Sequence, residues 1–431
     1  MAGIVRRAQG IEPGTAVLVA GLGLALYLQG AFTPVAQALV AVTVAVAAVL
    51  ASGQATITRR DVPVVAAAGA LALWALLAGV LTGHVLSGAR YALLIAGVLA
   101  VAHTCRRLAH PSLTACLLAI CCAVAAVGWF GVVVHHPTWS FLSPGMWRAS
   151  STLTYPNATA AVLAMAALVC FSVRARDAGP RWPGYVGTAL VTGMAATLSR
   201  AGIGAFVLGL AVLAFSLGPR PLWRAAAAPV CGALVATAGL VPSIVPATPS
   251  FGTVAVACVA AAAGLAVGGR AAGRWTSIAL GAAVVVAAGA GVWRLGSRFS
   301  LDSPDRWGAV EAAWQVFTSH PVTGAGPGLA RLVLAREQGG TAVYLFAHNE
   351  YVQLLAELGL VGGLLLAAFL VLVLRRLWGD PRAAGALAAV AALALHAGFD
   401  FVWHVPAVPL LAAAFAGVAT GSGEQRGRET E

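Results

Sequence analysis

Residues 62–81 read VPVVAAAGALALWALLAGVL, twenty positions without a charge, directly after Arg59, Arg60 and Asp61. The hydrocarbon core of a bilayer asks for roughly 20 apolar residues per helical crossing, so this stretch predicts a transmembrane helix. The pattern recurs on both sides of it. Apolar segments at about 14–32, 35–52, 62–81, 89–104, 113–134, 157–173, 185–198, 202–217, 225–242, 251–268, 276–292, 351–374, 384–399 and 405–420 alternate with short breaks rich in Arg, Pro and Gly. They predict an all-α polytopic membrane protein of about fourteen transmembrane helices. Twelve result if two Ala-rich segments between 225 and 292 are misread. No polar stretch is long enough for a separate soluble domain, so residues 1–431 are expected to form one membrane domain.

Composition supports this reading. Of 431 residues 60% are hydrophobic and only 9% charged, too few charges to keep the surface of a soluble chain of this size wet. Arg6 and Arg7 precede the first apolar run, which has no small-residue cleavage site and leads into a second span, so it is expected to be a retained helix. The seven cysteines fall mostly inside apolar runs without metal-ligand spacing and are read as small packing residues.

The net charge of +12 rests on 26 basic residues, every one of them arginine. Basic residues concentrate in cytoplasmic loops. With both termini in the cytoplasm, eighteen of the 26 fall inside, and every cytoplasmic segment holds at least two. Topology thus accounts for most of the charge without a nucleic-acid partner. It leaves Arg90, Arg148, Arg200, Arg294, Arg298, Arg306, Arg331 and Arg336 on the disfavoured side.

Five of those eight lie in residues 293–350, the one long connection and an expected extracytoplasmic loop. Long loops in compact proteins are usually functional. Residues 303–319 have a helical pattern with Ser303 or Asp305 as N-cap, stopped by His320-Pro321. Trp307 and Trp314 suit a helix lying on the membrane surface; simple interfacial anchoring is the alternative. Gly324-Ala325-Gly326-Pro327-Gly328 has no Lys-Ser/Thr pair after it and is a turn rather than a P-loop. His348-Asn349-Glu350 stands at the start of the next span, where the helix dipole disfavours a charged imidazole and keeps it suited to a general base. Asp400 lies at the outer end of the thirteenth span, placed to orient an Arg or a His or simply to face water. Arg200, in the tight Ser199-Arg200-Ala201-Gly202 connection, has little room to reach water and calls for an anionic partner. The middles of the first eleven spans hold no Asp, Glu or Arg, which weighs against the main rival, a transporter or lipid-linked sugar flippase.

The order Arg306-Trp307, His320-Pro321-Val322-Thr323-Gly324-Ala325-Gly326, His348-Asn349-Glu350-Tyr351-Val352-Gln353 and Glu357-Leu358-Gly359-Leu360-Val361-Gly362 resembles the O-antigen ligase and polymerase family. Tyr155-Pro156-Asn157-Ala158, Ser199 to Gly202 and His396 to Phe401 are similar to further pieces of it. The resemblance implies a GT-C-type membrane glycosyltransferase that needs no metal or other cofactor. It would move a glycan from undecaprenyl pyrophosphate to a lipid, protein or glycan hydroxyl at the outer face of a bacterial inner membrane. It implies His348 as the base, Arg200 and Arg306 as pyrophosphate ligands with Arg90 in a weaker version of that role, and Asp400 as an assisting acid. Asn349, Glu350 and Asn157 would support them. The polar tail 421–431 is expected to be disordered in the cytoplasm. Ligase and polymerase differ mainly in acceptor, and the sequence does not separate them.

Overall fold

The computed structural model describes residues 12–51, 57–143, 145–176, 181–245, 247–271, 273, 304–328, 332–335 and 341–429, with side chains to 421. The chain is an all-α bundle: α1 Pro13–Tyr27, α2 Pro34–Leu50, α3 Val62–Leu81, α4 Val85–Arg107, α5 Pro111–Val134, α6 Pro156–Arg176, α7 Trp182–Ala196, α8 Arg200–Leu217, α9 Pro219–Ile244, α10 Phe251–Gly268, α11 Pro304–Ser319, α12 Glu350–Leu377, α13 Ala384–Ala397 and α14 Ala407–Glu429. Two small antiparallel hairpins decorate it, β1 Ser140–Ser143 with β2 Met146–Ala149 and β3 Leu332–Ala335 with β4 Thr341–Tyr344. Thirteen of the fourteen expected spans coincide with helices, and the fourteenth, 276–292, lies outside the described residues. The segment expected as a disordered tail continues α14 as far as Glu429.

The apolar code explains which helix lies where. In α6 the run from Pro156 to Ser172 is apolar or small on every face, and all of it is buried, as befits a helix with no polar stripe. Helices α7, α8 and α13 pack around it. At the periphery, Leu73, Leu86, Leu93, Phe215 and Phe251 are exposed, an apolar belt that lipid solvates. Helices α9 and α10 meet through Gly232 and Gly264, where an added Cβ would strike the partner's backbone; small residues permit that approach.

Among the described residues, eight helices are long and apolar enough to cross a membrane unaided. Others are shorter than expected: α13 has 14 residues and α1 has 15, about 21–23 Å at 1.5 Å per residue. The missing length is irregular backbone packed inside protein, the condition under which a membrane tolerates it. After α1 the chain turns through a 3₁₀ segment, Gln29–Ala31, with Gly30 packed against Val405. Between α13 and α14, Asp400, Val402 and Val405 are buried.

Cross-links define two ends of the bundle. At one end the Arg107 side chain donates to Ala51 O, Arg174 to Gly268 O and Arg176 to Arg382 O. At the other, His135 meets Ser243 O, Thr152 donates to Leu26 O and Arg306 to Phe399 O. Among the described residues, the arginines expected inside gather at the first end, and Arg90, Arg148, Arg200 and Arg306 at the second.

Candidate active site

The site lies at the second end, where α6, α11 and α12 begin and the α13–α14 connection turns. Asn349 caps α12, its Oδ1 accepting from the amides of Tyr351 at 3.0 Å and Val352 at 3.2 Å. These are donors that the helix itself cannot satisfy. Directly before the cap, His348 has φ +51°, a left-handed conformation that costs a non-glycine residue roughly 1–2 kcal/mol. The turn is held from behind, because Ala347 N donates to Gln353 Oε1 at 2.8 Å.

That turn brings His348 Nδ1 within 3.1 Å of Asp400 Oδ1. Asp400 is 0% exposed, and a carboxylate buried so completely needs donors. It has them. Tyr155 Oη lies 2.7 Å from both carboxylate oxygens, Asn157 Nδ2 donates to Oδ2, and Phe401 N donates to Oδ1 at 2.8 Å. Arg306 Nη2 stands 3.8 Å from Oδ2 while Nη1 reaches Phe399 O. Burial by itself raises the Asp400 pKa, but the His348 and Tyr155 contacts and the Arg306 charge outweigh it and hold the carboxyl below its ordinary value. Burial and the same carboxylate push the Tyr155 hydroxyl up, so it stays protonated and donates.

Aromatic rings wall the pair. Phe401 lies between Tyr155 and Phe346, with centroids at 4.7 and 4.3 Å, and His348 meets its edge at 5.1 Å. A second buried acid sits behind. Glu350 accepts from Trp403 N, from His404 N at 3.2 Å and from His404 Nδ1 at 2.9 Å. Burial lowers the His404 pKa, but the Glu350 charge and hydrogen bond prevail and lift it to about 9. His404 is therefore an imidazolium at neutral pH.

Of the residues expected from sequence, His348, Arg306, Asp400 and Asn157 form one contact network, while Asn349 and Glu350 fix its frame. Arg200 opens α8 and is exposed. Its connection joins the network through Thr197, whose carbonyl accepts from Arg148 Nε at 2.8 Å, and Arg148 Nη2 donates to Asn157 Oδ1 at 3.1 Å. Arg90 is exposed on α4, and its neighbour Tyr91 donates to Glu357. Three residues were not chosen from sequence: Arg148, Tyr155 and His404. Arg148 was visible only as an arginine on the disfavoured side, and Tyr155 only inside the Tyr155-Pro156-Asn157 piece.

The two glycine motifs have a mechanical role. At Gly359, with φ +64°, α12 breaks and exposes backbone groups. The His320–Gly326 turn fills the break: Ala325 N donates to Ala356 O at 2.9 Å, Gly326 N to Glu357 O at 3.1 Å, and Leu360 N to Pro321 O at 2.8 Å. Trp74 Nε1 takes the Leu358 carbonyl at 2.8 Å. Gly324 and Gly359 both hold left-handed φ, and a Cβ on either would strike the opposite backbone. The turn is a latch on the helix. Glu357, buried in the break, accepts from Gln353 Nε2 at 2.6 Å and Gly328 N at 3.0 Å.

Chemically, the cluster can hold a neutral imidazole with Nδ1–H on a carboxylate, which leaves Nε2 as an acceptor. Cations stand on the same side of the membrane domain. Among the described residues no group of three or more His, Cys, Asp or Glu is arranged to hold a metal ion. No curated protein matches the sequence. Residues 185–367, which run from α7 into α12 and include Arg200, Arg306 and His348, match the family model described as O-antigen ligase. Over that segment, within a bundle of membrane-crossing helices, the chain is similar to the O-antigen ligase family.

Proposed function

We propose that the chain transfers a glycan from undecaprenyl pyrophosphate to an acceptor hydroxyl at the outer face of a bacterial inner membrane, with both termini in the cytoplasm. The observation that carries this reading is the His348–Asp400 pair, 3.1 Å apart and walled by aromatic rings. In this reading the acceptor hydroxyl gives its proton to His348 Nε2 as its oxygen attacks the anomeric carbon. The bond from that carbon to the pyrophosphate oxygen breaks on the opposite side, the configuration inverts, and the carrier pyrophosphate leaves with the electron pair. Asp400 acts as an orienting carboxylate rather than the assisting acid expected from the resemblance. Its pKa lies below the ordinary value, so near neutral pH it has no proton to give. It fixes the imidazole tautomer and stabilises the imidazolium that forms, as carboxylates do in catalytic triads.

Charge on the departing pyrophosphate is met by arginines, which stay ionised and offer a planar fork of donors. Arg200 and Arg306 take that role, Arg148 holds Asn157 beside them, and Arg90 lies at the margin. The donor requires no metal in this scheme, because fixed guanidinium groups supply the positive charge. The acceptor, whether lipid, protein or growing glycan, decides between ligase and polymerase.

The test is transfer by the purified, reconstituted chain from an undecaprenyl-pyrophosphate oligosaccharide to membrane acceptors. His348→Ala should lower the rate by roughly 10²–10⁴-fold, the range of general-base catalysis, while the protein still binds donor. Full activity in His348→Ala would overturn the assignment of the base. Donor binding by wild type without transfer to any acceptor would overturn the enzymatic reading and favour a flippase.

A further inference from the structure

At the end of the bundle remote from Asp400, the start of α3, the end of α12 and the start of α13 surround a groove of about 480 Å³. Four arginines line it, Arg59, Arg60, Arg376 and Arg382, against one acid, Asp380. Asp61 adds no net negative charge, because it is held between Arg106 and Arg376. Among the described residues the groove therefore carries three positive charges in excess. Arg376 is fixed, with Nε 2.9 Å from Asp61 Oδ1. Arg59, Arg60 and Arg382 are exposed and make no ion pair among the described residues.

Apolar surface borders the groove on its bilayer side. Ile57 and Val62 flank Arg59 and Arg60 and are more than half exposed, as is Val371 further along α12. Trp378 closes α12 at this level with its ring 5.5 Å from Phe215, both exposed; such aromatic residues mark the membrane–water interface. Orientation in the membrane requires arginines on this side, but it does not require that four of them converge on one groove or that an aspartate hold one in place. We propose that the groove binds the phosphate headgroup of an acidic phospholipid, with acyl chains lying along the exposed faces of α3 and α12. The bound lipid would tie the remote end of α12, the helix whose other end follows directly on His348 and its cap.

The experiment is lipid retention by the full-length protein in native mass spectrometry, with phosphatidylglycerol and phosphatidylcholine offered in equal amounts. Each arginine near an anionic lipid surface favours binding by roughly fivefold, so wild type should retain phosphatidylglycerol preferentially. Arg59→Gln/Arg60→Gln/Arg382→Gln should lose that preference. Arg181→Gln/Arg220→Gln/Arg224→Gln, which removes three other exposed arginines from the same end, should keep it. Size-exclusion profile and glycan transfer report that each variant is folded. Equal loss in both triple variants would overturn the site in favour of diffuse charge. A wild type that shows no lipid preference, yet gains thermal stability from inorganic pyrophosphate in an Arg59- and Arg60-dependent way, would make it a soluble-anion site and overturn the lipid assignment.

Discussion

Two aspartates stand at opposite ends of the bundle, and they are partnered differently. Asp61 lies between Arg106 and Arg376 with Thr58 added, all short-range contacts, and its carboxyl is held far below the ordinary range: burial opposes this, but Thr58 and the two arginines prevail. Asp400 is more deeply buried, yet its nearest partners are a histidine, a tyrosine, an asparagine and an amide, with the one arginine set back at 3.8 Å. Two permanent cations against one carboxylate make a clamp whose protonation does not change near neutral pH. A carboxylate surrounded by neutral donors and one titratable ring keeps unspent negative charge, available when the ring takes a proton. The same residue type is a fixed clamp in one setting and, in the proposed mechanism, poised for chemistry in the other.

Exchanging each for asparagine separates the two roles most sharply. Asp400→Asn should lower glycan transfer by about 10³-fold or more, because an amide neither fixes the His348 tautomer nor stabilises its cation. Asp61→Asn should leave transfer by the folded protein intact but cost about 3 kcal/mol of stability, since Arg106 is left buried without its counter-charge. Transfer assays paired with thermal unfolding in detergent check both; equal loss of activity in the two variants would erase the contrast. A smaller effect is expected from Arg148→Ala. Freed from Arg148, Asn157 should hold Asp400 less firmly, and transfer should fall by roughly 10–10²-fold, the effect of losing one charged hydrogen bond of about 1.5–3 kcal/mol. An unchanged rate would leave Arg148 a purely structural residue.

The smallest effect concerns pH. His404 titrates at 6.5 when unperturbed and at about 9 beside Glu350. A raised folded pKa adds stability that is complete below the unfolded value and is lost as pH climbs through the folded one. The unfolding temperature should therefore decline between pH 6.5 and about 9. Glu350→Gln should flatten that decline, and an identical slope in wild type and variant would show that the pair does not titrate in this window.

Hydropathy carried most of the fold, because a bilayer forces a uniform apolar length on each crossing. The arginine pattern predicted which residues share an end of the bundle, and α11 and its exposed Trp307 and Trp314 were legible from periodicity and His320-Pro321. Helix ends were misjudged where irregular backbone is buried in protein: α13 stops at Ala397 and α14 begins at Ala407, and apolar content alone does not distinguish helix from packed turn. In the site, His348, Arg306 and Asp400 were visible through motif order. Tyr155 and Arg148 were not chosen, because their contacts depend on a short hairpin after α5 and on a pairing between residues 245 apart in sequence. His404 gave no signal of its own; only Glu350, folded against it, makes it a cation.

That long separation bears on how the protein is made. Tyr155 and Asn157 are synthesised well before His348, and Asp400 follows only with the turn that joins α13 to α14. A nascent chain threaded as far as α12 has His348, the base of the proposed mechanism, with no carboxylate behind it. In the proposed mechanism catalytic competence therefore waits for the α13–α14 connection, and a ribosome stalled ahead of it leaves an intermediate that lacks the orienting carboxylate.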